Sequence, residues 1–148
     1  MPAQRPPRTP AVWFLMLLLL VQALGGIAGG ASLSIRPDGS ILQMPLPYLD
    51  GSPFPDYLIP GLCLLVVLGI LPLVVLVGVW RADTWAWYGA FTVGCGLIIF
   101  ELVEVSIIGY NWMQVLFGSI GVLITIVSLL PSVRHYHRMH VFDRREIE

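Results

Sequence analysis

Apolar residues fall along the chain in four long blocks, separated by stretches rich in proline, glycine and charge. A helix that crosses a bilayer needs about 20 mainly apolar residues, each adding about 1.5 Å. Residues 11–29, 58–80, 85–109 and 113–130 meet that need. They leave a short Arg/Pro head, an outer loop over 30–57, two brief turns and a polar tail over 131–148. The pattern predicts an all-α membrane protein, a four-helix antiparallel transmembrane bundle forming a single membrane domain over 1–148, with an extracytoplasmic loop between its first two helices.

Within that loop, Arg36-Pro37-Asp38-Gly39-Ser40 is a turn sequence, because proline presets φ and glycine accepts a positive one. Leu33 and Ile35 before it and Ile41 and Leu42 after it suggest a short β-hairpin. Pro45, Pro47, Pro53 and Pro55 oppose regular structure further on, and the loop is expected to lie as an ordered lid on the bundle.

Composition agrees with the spans. The chain is 57% apolar and 11% charged, against about 45–50% and about 25% in an ordinary soluble domain, and its mean hydropathy is +0.83. Such a chain cannot hide its apolar surface in one small core, which excludes a secreted or cytosolic globular enzyme.

Charge then sets the orientation. The chain has no lysine, and of its eight arginines seven fall on one side of the predicted spans: Arg5, Arg8, Arg81, Arg134, Arg138, Arg144 and Arg145. Only Arg36 falls on the other. Basic residues beside spans are retained in the cytoplasm, so both termini are expected there, in the cytoplasmic (inner) membrane of a bacterium. Trp13, Trp80, Trp85 and Trp87 sit at the inner boundary and Tyr57, Tyr110 and Trp112 at the outer one, as aromatic belts require. A rival reading takes Arg5, Arg8 and the apolar stretch to Leu24 as a cleavable signal peptide ending near Ala31.

Helical spacing sorts the remaining residues onto faces. Gln114, Gly118, Gly121, Thr125 and Ser128 form one stripe on the fourth span, and Gln22, Gly25 and Gly29 another on the first, with Gly26 and Gly30 as a second small pair. Small residues mark close helix approach in lipid, so Gly25, Gly29, Gly118 and Gly121 are the packing candidates. Pro72 has no N–H for the carbonyl of Leu68, and a kink is expected there.

The third span carries the ionisable groups at membrane depth, Glu101 and Glu104, neighbours on one helix face. By helical rise they lie about 12 Å and about 8 Å from the outer end. A charge near the bilayer centre costs at least ~2.5–3.5 kcal/mol, and no span contains a basic residue to offset it. Gln22 and Gln114 fall in the same outer half, and Arg36 is the external base able to reach down as counter-ion. These five residues are the candidates for binding a proton or small ligand.

Other chemistry is sparse. Cys63 and Cys95 differ in depth by about 13 Å, too far for a disulfide. His135, His137 and His140 all lie in the tail, where His137 and His140 share a face as a weak metal pair. No Walker loop, nucleophile elbow, zinc motif or nucleotide fingerprint occurs.

The segments Pro37-Asp38-Gly39-Ser40, Met44-Pro45-Leu46, Gly51-Ser52-Pro53-Phe54 and Asp56-Tyr57-Leu58-Ile59-Pro60-Gly61 resemble a pattern in small bacterial membrane proteins with four predicted spans. Glu101-Leu102-Val103-Glu104 and Leu129-Leu130-Pro131-Ser132-Val133-Arg134 are similar too. The resemblance covers most of the chain and implies a bacterial inner-membrane protein, with no activity attached. In size and span count the chain is also similar to small multidrug transporters, which keep an essential glutamate in the first span where this chain has Gln22.

Together these readings predict a non-enzymatic accessory or scaffolding subunit without metal or cofactor. Its expected partners are membrane lipids and either copies of itself or other membrane-protein subunits, not nucleic acid. The alternative is a small proton-linked transporter or channel using Glu101 and Glu104.

Overall fold

A computed structural model describes residues 8–137. Four long apolar helices dominate it: α1 (Pro10–Ile35), α2 (Leu58–Arg81), α3 (Ala86–Ile108) and α4 (Trp112–Leu129), each long and apolar enough to cross a membrane. A further helical stretch covers residues 131–137.

Helix α1 runs six residues past the expected end at Gly29, and this removes the predicted hairpin. Leu33 and Ile35 are helical, and there is no strand among the described residues. Two causes are visible. The hydroxyls of Ser32 and Ser34 donate to the carbonyls of Ala28 and Gly30, which lets polar residues stay in the last turns. Leu33 is buried in contact range of Gly61 on α2, a packing that a strand would lose. The Pro37–Ser40 turn itself forms, with Gly39 at a φ of +75°.

Beyond the turn the loop does cover the helix ends. Tyr57 and Leu49 are buried with Leu33 from α1, against Leu64 of α2 and Ile107 of α3. The Tyr57 amide donates to the Pro37 carbonyl at 2.9 Å and its hydroxyl donates to the Pro45 carbonyl at 3.1 Å, tying both halves of the loop together.

Helix α2 is not uniformly α-helical. Residues Leu64–Ile70 form a π-helical run, and the N–H of Leu71 reaches back five residues to the carbonyl of Val66. Pro72 follows directly. The irregularity anticipated at the proline is therefore spread over the two turns before it.

The principal core joins Leu15, Leu19, Leu68, Val75, Val79, Ala86, Ala90, Leu97 and Ile124 along the helix interfaces. It also includes Val133 and Tyr136, from the stretch read as a polar tail. Residues 131–137 instead fold back against the end of the molecule that carries Arg8 and Trp80. Of the tail residues proposed as a metal pair, His137 is fully buried with Nδ1 2.7 Å from the Val133 carbonyl, and His140 lies outside the described residues.

Candidate functional site

The closest helix approach in the molecule surrounds the carbonyl of Leu68. Gln22, Gly26, Gly30 and Leu33 line one buried face of α1. A Cβ on Gly26 would collide with the Leu68 carbonyl and come within 2.6 Å of the Gly69 nitrogen, and one on Gly30 would lie 2.6 Å from the Leu65 Cα. Backbone thus rests on backbone. Gly25 and Gly29 meet side chains of neighbouring helices instead: a Cβ there would lie 2.8 Å from the Phe117 ring and 3.1 Å from a Leu64 methyl.

That approach carries an interhelical hydrogen bond, in a bilayer interior where no water competes for the backbone. The carboxamide Nε2 of Gln22 donates to this carbonyl at 3.2 Å across the interface. Gln22 is 1% exposed, and its Oε1 has no partner among the described residues.

On the other side of the molecule, α3 and α4 meet through Gly94 and Gly121. A Cβ on Gly94 would lie 2.8 Å from the Thr125 nitrogen and 2.9 Å from the Gly121 carbonyl, while one on Gly121 would lie 3.1 Å from the Gly94 carbonyl. Further along this interface Glu101 is buried, its Cβ and Cγ 4.0 Å from where a Gly118 side chain would begin. A side chain at Gly118 would therefore touch the stem of Glu101. Glu104, one turn on, is half-buried.

Gln114 is buried but serves the start of α4. Its Oε1 accepts the Asn111 N–H at 2.8 Å, and Asn111 Oδ1 accepts from the Met113 N–H at 3.3 Å, a reciprocal cap. Its Nε2 is left without a partner among the described residues. The sequence thus places Gln22, Glu101 and Gln114 in buried positions, yet no hydrogen bond joins any two of them among the described residues.

Arg36 does not reach the carboxyls. It is exposed, and the one ion pair among the described residues is Arg81 with Asp83 at 3.9 Å. Because α1 ends at Ile35, Arg36 stands beside the turn instead. There the Ser40 backbone and hydroxyl hold the Asp38 carboxyl below its usual range by hydrogen bonding, with the Arg36 charge adding to this. Burial pushes the Tyr57 hydroxyl up, helped by Tyr48 and by Glu104, which places Glu104 in the electrostatic reach of the lid. Cys63 is exposed, Cys95 is half-buried, and both are free thiols.

One residue of evident structural weight had no sequence signal. Arg8 lies with its guanidinium carbon 3.8 Å from the Trp80 ring centre and 5.4 Å from that of Trp13. Its Nη2 donates to the Trp80 carbonyl at 3.1 Å and its Nε to the Tyr136 hydroxyl at 3.3 Å. The segment before α1, the end of α2 and the helical stretch after α4 are joined by this side chain. Arg134 stacks similarly on Trp87, at 4.7 Å.

The chain matches no protein-family model, and neither a curated protein nor a solved structure matches it.

Proposed function

We propose that this chain is a non-enzymatic integral membrane protein, an accessory or scaffolding subunit of the bacterial cytoplasmic membrane with both termini in the cytoplasm. The carrying observation is that both buried carboxamides are engaged with backbone: Gln22 holds the Leu68 carbonyl and Gln114 caps α4. Polar groups used in this way fix helix register; they do not converge on a ligand. An antiparallel arrangement of the helices is supported by contacts whose numbers rise on one helix as they fall on the next: Gly26 with Leu68, Gly30 with Leu65, Leu33 with Gly61. The arginine distribution supports the orientation.

A face for partners is available on α3. Its most apolar window is 22% buried, against 44% for α1. Ile99, Leu102 and Val103 are exposed there, and an added Cβ on Gly96 meets nothing within 4 Å. Copies of this chain or other membrane subunits fit that surface.

A second reading rests on Glu101, a buried carboxyl with its neighbour Glu104 one turn away and no basic residue on any of the four helices except Arg81 at the end of α2. In it the pair carries a proton for a small transporter. Native mass spectrometry of the protein extracted gently from its own membrane separates the two. A stoichiometric heteromeric complex or a defined homo-oligomer supports the subunit reading. A monomer holding only lipid or a small solute overturns it, and proton flux abolished by Glu101→Gln then supports the transporter.

A further inference from the structure

An open apolar groove of about 430 Å³ runs between α1 and α2, lined by Trp13, Met16, Leu17, Leu20, Leu76 and Trp80, with Val77 at its edge. From Trp13 to Leu20 it follows α1 for about 10 Å. Every lining residue is apolar or a tryptophan, so the groove takes hydrocarbon. One end is different. Arg8 lies over both tryptophans that close the groove there.

Among the described residues no group neutralises the charge of Arg8. Its two hydrogen bonds go to a neutral carbonyl and a neutral hydroxyl, and no carboxylate pairs with it among the described residues. A guanidinium has five N–H donors, so three remain. Stacking on Trp80 and the bond to its carbonyl hold the cation in place beforehand, which lowers the ordering entropy of binding an anion. A fixed cation between tryptophans at the interface, with an apolar groove leading from it into the bilayer, is complementary to one molecular class: an acyl chain ending in a phosphodiester.

We propose that this groove is a binding site for an anionic phospholipid of the leaflet on the Arg8 side, its phosphate on the Arg8 guanidinium and one acyl chain lying along Leu17, Leu20 and Leu76. The lipid closes the seam between α1 and α2 at the end where their backbones are not in glycine contact. Charge complementarity selects this occupant over a zwitterionic lipid, and an apolar partner helix would leave the cation unanswered.

Tryptophan quenching by brominated acyl chains tests this on the full chain in phosphatidylcholine vesicles, because Trp13 and Trp80 line the groove. Brominated phosphatidylglycerol is compared with brominated phosphatidylcholine at equal mole fraction. The expected selectivity for the anionic lipid is about fivefold, corresponding to about 1 kcal/mol for one interfacial arginine. It should be absent in the Trp13→Phe/Trp80→Phe pair, lost in Arg8→Gln and retained in Arg8→Lys. Leu20→Phe, which fills the groove away from Arg8, should reduce quenching by both lipids.

Since Arg8→Gln also loosens the end of the molecule, the wild-type protein supplies an independent arm. Raising ionic strength from about 0.1 M to about 1 M shortens the screening length from about 10 Å to about 3 Å and should remove most of the selectivity. Equal quenching by the two lipids, selectivity surviving in Arg8→Gln, selectivity lost in Arg8→Lys, or selectivity indifferent to salt would each overturn the proposal. Quenching by both lipids left unchanged in the Trp13→Phe/Trp80→Phe pair would do so too, since it would mean that protein covers the groove.

Discussion

Gly26→Ala is the smallest change that attacks the seat of the fold. The added methyl would collide with the Leu68 carbonyl and lie 2.6 Å from the Gly69 nitrogen, where carbon contacts relax only near 3.5 Å or beyond. Both obstacles are backbone, so no side chain can rotate aside and α1 must move off α2. Overpacking of this kind costs about 1–3 kcal/mol. The displacement also stretches the 3.2 Å bond from Gln22 to Leu68, and interhelical hydrogen bonds in membranes average about 0.6 kcal/mol with an upper value near ~1.7 kcal/mol. A total loss of about 2–4 kcal/mol follows. Gly96→Ala is the matched control, a mid-helix glycine whose new methyl meets nothing within 4 Å. There the conformational gain of alanine should stabilise by about 0.5–1 kcal/mol. Reversible unfolding in mixed micelles on titration with a denaturing detergent measures both. The reasoning is refuted if the two variants unfold within about 0.5 kcal/mol of each other, since identical chemistry would then be indifferent to the contact.

Gln22→Ala should destabilise by about 1 kcal/mol through loss of its bond to the Leu68 carbonyl; the same assay reads it, and stability equal to wild type would count against that bond. Gly118→Leu should displace Glu101, whose Cβ and Cγ occupy the adjoining space, and lower stability by about 1–3 kcal/mol; stability equal to wild type would place the Glu101 side chain elsewhere. The Asp38 carboxyl is depressed in the folded state by Ser40, so its contribution to the turn is present above its unfolded pKa and is lost as pH falls through its lower folded pKa. The protection of the Ser40 amide, relative to its intrinsic exchange rate at each pH, should therefore hold near neutrality and fall only below the usual carboxylate range, and Asp38→Asn should remove that step.

The four spans were legible because bilayer thickness imposes a length on apolar runs, and runs of that length have few alternatives. Their limits were less so. Gly29 looks like the end of α1, but Ser32 and Ser34 satisfy their hydroxyls on the preceding turn and Leu33 needs Gly61, a residue of another helix. The backbone contact at Gly26 and Gly30 had a readable clue, since Gln22 lies four residues before Gly26 on the same stripe. The burial of Glu101 and Gln114 follows from their stripes, whereas their failure to meet depends on local capping by Asn111. Arg36 illustrates reach without position, since α1 continues six residues beyond Gly29 and leaves it exposed beside the turn. Arg8 and Tyr136 lie 128 residues apart, and no local pattern encodes such a pairing.

The clasp made by Arg8 also imposes an order of events. Chains are made and inserted from the N-terminal end, so Arg8 is present from the start, while Tyr136 emerges only after α4. Until then Arg8 has the Trp80 carbonyl without the Tyr136 hydroxyl, and the core cluster lacks Val133 and Tyr136. A nascent chain with three or four helices in place differs from a finished one at that end. Closure of that end is thus the last packing step of the described chain.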